Sequence, residues 1–70
     1  MMDGSALREV IVRLGMSQVG LAGFLGYDDS MVRRWIADKH PVPIPVEMLL
    51  RVMIKYHLTP TKVIALTKDD

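Results

Sequence analysis

The chain contains no cysteine, so neither a disulfide nor a thiolate metal site can hold it together. Aromatic residues are scarce: one tryptophan, one phenylalanine and two tyrosines in 70 residues. A chain of this size buries only about 60% of its unfolded surface, so its core is thin. The supports left to it are tight helix packing and association with another chain. No apolar run approaches the ~20 residues of a membrane span. The richest stretch, Glu47–Tyr56, is interrupted by Arg51 and Lys55. Met1–Gly15 shows no basic region followed by an apolar core, so no signal peptide is expected. Contact with a membrane is not expected either, and the cytoplasm is the expected compartment.

Several chemistries lack their residues. His40 and His57 are too far apart for a local ligand pair and have no cysteine to help them, which argues against a metal site. Gly20, Gly23 and Gly26 superficially suggest a phosphate loop. They have neither a preceding strand nor a following Lys-Ser/Thr, so that reading is dropped. Asp28 and Asp29 have no nucleophile–base arrangement beside them. Neither an enzyme nor a cofactor is expected. Net charge is only +1. Without Asp69 and Asp70, expected to fray at the C-terminus, nine basic residues face six acidic ones, a remainder of +3.

Helical periodicity is what the sequence does have, with no strand-like alternation, repeat or low-complexity segment. Leu7, Val10, Ile11 and Leu14 follow the i, i+3, i+4, i+7 spacing of one helix face. Asp3 or Ser5 caps that helix and Gly15 ends it. Ser17 caps a second helix with Leu21, Ala22 and Leu25 inward, and Gly26 stops it. Asp28 caps a third, whose inward residues are Val32, Trp35 and Ile36. The prolines of HPVPIP (His40–Pro45) favour an extended link over a ligand for a proline-binding module. Pro45 suits the first turn of a fourth helix carrying Val46, Leu49, Leu50, Met53 and Ile54 on one side and ending near His57. Thr59-Pro60 then caps a short fifth helix over Lys62–Thr67.

Residues 17–37, SQVGLAGFLGYDDSMVRRWIA, carry the most information. Ala22 is small where two steeply crossing helices come closest. Gly26 reaches the positive φ of a sharp turn without steric cost. Leu21, Leu25, Val32 and Trp35 fill the wedge between the helices. Two short helices joined by a glycine-containing turn describe a helix-turn-helix. Leu7-Arg8, Leu14-Gly15-Met16-Ser17-Gln18, Leu21-Ala22, Leu25-Gly26, Val32-Arg33-Arg34-Trp35 and the proline-rich link into Val46–Leu50 together resemble the phage-repressor family (Cro/repressor, xenobiotic-response-element type). The resemblance covers about Leu7 to His57. It implies an all-α fold: a single four- to five-helix domain, lambda-repressor-like, whose third helix enters the major groove of double-stranded DNA.

The resemblance also implies which residues touch DNA: Gln18 at the start of helix two, and Asp29, Ser30, Arg33 and Arg34 on helix three. A helical projection is compatible. With Val32, Trp35 and Ile36 inward, Ser30, Arg33, Arg34 and Ala37 lie opposite, flanked by Asp29 and Met31. Lys39 is a further candidate for a phosphate contact. Trp35 continues the Val32 stripe and is assigned to the core rather than to base stacking. Where the family often has glutamate after the tryptophan, this chain has Ile36.

Met48 and Val52 add apolar surface beside the inward stripe of helix four, and Leu58, Val63, Ile64 and Leu66 follow. That exceeds what so small a core should absorb, so residues 45–67 are expected to form a homodimer interface. Such a dimer would read a palindromic operator, as a repressor or other transcription regulator of phage or prokaryotic type. The competing expectation is a protein–protein interaction module of the same fold, favoured by the balance of two arginines against two aspartates in residues 17–37. An antitoxin, binding both DNA and a toxin partner, lies between them.

Overall fold

A computed structural model describes residues 1–68. It contains five helices and, among the described residues, no strand: α1 (Gly4–Arg13), α2 (Gln18–Leu25), α3 (Asp29–Ile36), α4 (Ile44–Lys55) and α5 (Pro60–Thr67). Asp69 and Asp70 lie outside the described residues. The all-α expectation holds. Among the described residues, no helix is long and apolar enough to cross a membrane.

Helix starts follow side-chain chemistry. Asp3 accepts from the Ala6 N–H at 2.8 Å, which selects it over Ser5 as the α1 cap. Ser17 accepts from Gly20 N–H, and Thr59 from Lys62 N–H. Each satisfies one N–H that a helix start would otherwise leave without a partner. Asp28 corrects the pattern. Its side chain makes no capping bond; its backbone carbonyl accepts from Met31 and Val32 instead. The Asp28 carboxylate stays exposed, so α3 starts on backbone geometry and dipole alone.

The ends of α1 to α4 share one device. After α1, Gly15 is left-handed (φ 67°), and Met16 N–H reaches back to the Ile11 carbonyl. After α2, Gly26 does the same (φ 81°), and Tyr27 N–H bonds the Ala22 carbonyl. These are the back-bonded turns that glycine permits. After α3 and α4 the left-handed residues are Asp38 (φ 59°) and His57 (φ 55°), with Lys39 N–H to the Arg34 carbonyl and Leu58 N–H to that of Met53. Neither has glycine to lower the cost.

The core collects Leu7 and Ile11 from α1, Leu21 and Ala22 from α2, Val32 and Trp35 from α3, and Val46, Leu50 and Met53 from α4. Val10, Leu14, Leu25, Ile36, Leu49 and Ile54, expected inward, are only half-buried. Two residues outside the helices join the core: Met2 before α1, and Val42 within the proline link. α3 packs on both α2 and α1, and α1 also packs on α4. α5 starts at Pro60, two residues before its expected first residue, and buries none of its residues fully.

Candidate functional site

α3 is the element whose two sides differ most. Val32 and Trp35 face inward with at most 1% exposure, and the Tyr27 ring meets the Trp35 ring edge-on at 5.0 Å. Met31, expected to flank the outer side, leans half-buried onto the core. The outer side presents Arg33, Arg34 and Ala37 to solvent, with Ser30 half-buried one turn earlier. Ser30, Arg33, Arg34, Ala37 and Lys39 line one shallow depression of about 330 Å³. Lys39 reaches it because left-handed Asp38 folds the chain back after α3. Four of the six residues singled out in the sequence therefore come together. Asp29 sits at the edge, tied to Arg33. Gln18 opens α2, exposed and outside the depression.

The charges on this surface are not equivalent. Arg33 Nη1 donates to Asp29 Oδ2 at 3.2 Å, one helical turn back. Both side chains remain about half exposed, so the pair orients Arg33 more than it stabilises the helix. Arg34 has no carboxylate partner among the described residues. The surface thus holds one guanidinium already directed and one free, with a lysine beside them. Guanidinium groups bind phosphate or the O6/N7 edge of guanine in a bidentate fork.

What aims α3 lies behind it. The Gly4 N–H donates to Asp38 Oδ1 at 2.8 Å. A Cβ on Gly4 would sit 2.0 Å from the Ile36 carbonyl oxygen. The start of α1 is therefore pressed against the end of α3, and only glycine fits the contact. The same strap continues at Met2, whose side chain is buried and whose N–H donates to Glu47 Oε1 at 2.9 Å. Glu47 Oε2 in turn accepts from Arg51 Nε at 2.9 Å. The bond from Met2, reinforced by Arg51, holds the Glu47 carboxyl below its usual range.

Sequence reasoning missed Gly4, Asp38 and Tyr27. Gly4 and Asp38 act through contacts between residues 34 apart, which no local pattern reveals. Tyr27 could have been noticed as the lone aromatic in the turn.

No protein-family model, curated protein or solved structure matches this chain.

Proposed function

We propose that the chain is a sequence-specific DNA-binding transcription regulator, with α2 and α3 acting as a helix-turn-helix and α3 entering the major groove of duplex DNA. The observation that carries this is the convergence of Ser30, Arg33, Arg34 and Lys39 on the outer side of a helix whose inner side is fixed by Val32 and Trp35. A rigid helix projecting two guanidiniums, with a small residue one turn before, fits the groove in size and chemistry. Lys39, Gln18 and backbone amides at helix starts would set the register on phosphate; α3 would choose the sequence. The role is non-catalytic and belongs to the cytoplasm.

The active form we propose is a homodimer. Ile44, Met48 and Val52, four residues apart on α4, are 57%, 61% and 46% exposed, and Ile64 and Leu66 of α5 are 47% and 63% exposed. A two-fold pair would set two copies of α3 about 34 Å apart, one turn of DNA, and so read a palindrome. Val52→Glu places a charge in that surface without touching the core; sedimentation should show a dimer turning into a folded monomer.

Selection of tight binders from a random duplex pool tests the function. A recurring site with two-fold symmetry is the expected outcome, and affinity should fall steeply with salt as phosphate counterions are released. No binding to any duplex at low salt would refute it. The same exposed α4 and α5 surface favours one other reading, a helical protein-interaction module with no nucleic-acid role. That module would show strong self- or partner association and no salt-sensitive duplex binding.

A further inference from the structure

The two arginines of α3 differ in one respect: Arg33 is held by Asp29 at 3.2 Å, and Arg34 by no acid among the described residues. On a surface meant for a polyanion, an exposed carboxylate is a liability. Asp29 repels every phosphate that approaches Arg33. A phosphate can replace Asp29 as the partner of Arg33, but it leaves the Asp29 carboxylate facing another anion. A base-pair edge can satisfy both groups at once. In the major groove, cytosine N4 donates and guanine O6 and N7 accept. Adenine N6 is a donor too, but it has acceptors on both sides, its own N7 and thymine O4, whereas cytosine N4 has one, and no A·T pair presents the guanine fork.

We propose that the Asp29–Arg33 ion pair is a selectivity element: it keeps Arg33 off phosphate and opens only on a G·C pair, which gives an amine to Asp29 and a guanine edge to Arg33. This rests on the assignment of α3 to duplex DNA. Arg34 and Lys39, which pair with no acid among the described residues, supply the sequence-independent attraction. Arg33 and Asp29 supply discrimination. The weakness of an exposed i,i+4 pair is suited to the task, because the pair must open at the cognate site without a large barrier.

The test uses the full chain, unmodified and as Asp29→Asn. Asparagine keeps the shape and removes the charge. The probes are the duplex that the unmodified chain selects from a random pool and a random-sequence duplex of equal length, titrated over a salt series. The Asp29→Asn protein should bind the random duplex about three- to tenfold tighter, with a salt slope steeper by roughly one, because one more cation is available to phosphate. It should bind the selected duplex no tighter, so the ratio of the two affinities falls. A repeat selection should show a weaker preference for the G·C pair facing residue 29 and Arg33. If the unmodified chain binds its selected duplex but Asp29→Asn leaves the random duplex equally or less tightly bound, the selectivity element is refuted and the DNA assignment stands. If the unmodified chain binds no duplex, both are refuted.

Discussion

From Met2 to Met53 each of the first four helices contributes residues to the core, whereas from Leu58 to Lys68 no described residue is fully buried. The two regions solve different problems. In the first, α3 is fixed from behind by Trp35, from one end by the Gly4–Ile36 contact, and by the Asp38 carboxylate on the Gly4 N–H. In the second, eight residues of α5 rest on half-buried Val63 and Leu58. A helix that short is marginal in water without a packed face. Its cap at Thr59 and the Thr67 hydroxyl bonding back to the Val63 and Ile64 carbonyls are local supports only. Residues 2–53 thus close a core within one chain, whereas residues 58–68 leave apolar surface exposed.

The contrast can be broken most directly by truncating one leucine in each region. Leu50→Ala should cost about 2–5 kcal/mol in denaturant unfolding, because Leu50 has no exposed surface. Leu66→Ala, at concentrations where the chain is monomeric, should stay within about 0.5 kcal/mol of the parent. Equal costs would mean that α5 belongs to the core after all.

Two glycines sharpen it further. Gly4→Ala should destabilise by about 3 kcal/mol, since backbone rather than a flexible side chain meets the new methyl. Gly23→Ala should stabilise by about 1 kcal/mol, because the helix gains and nothing lies within 4 Å of the added carbon. If Gly23→Ala also weakens duplex binding, the bare backbone there approaches phosphate.

The smallest effect concerns the strap. Because Glu47 has a lowered folded pKa, its contribution is whole above the ordinary carboxylate value and is lost as pH falls through the lowered one. Melting temperature measured down an acid series should therefore fall less steeply in Glu47→Gln than in the parent; parallel curves would mean that the Glu47 carboxylate adds no acid-dependent stability.

Much of this could be seen in the residues. The i, i+3, i+4 stripes place Leu7, Ile11, Leu21, Val32, Trp35, Leu50 and Met53 inside, because a helix in a small domain has one face to hide. Gly15 and Gly26 mark helix ends for a local steric reason. The fourth helix does end near His57 as expected, but neither residue type marks the left-handed turns at Asp38 and His57, which adopt a glycine-like conformation under tertiary control; at Asp38 the side-chain bond to Gly4 helps to offset the strain. Met2 and Val42 enter the core from outside any periodic segment. On the candidate surface, residue types and helix phase were enough to gather Ser30, Arg33 and Arg34, and the i,i+4 spacing allowed the Asp29–Arg33 pair. That Arg34 has no acid partner among the described residues depends on how the neighbouring helices fold, and no spacing rule gives it.

Backbone-amide NMR of the full chain, titrated at low salt with its selected duplex, tests the central claim most directly. The shifts should concentrate at Ser30, Arg33, Arg34, Ala37 and Lys39. Shifts confined to α4 and α5, or no shifts at any duplex concentration, would contradict the assignment of α3 to DNA.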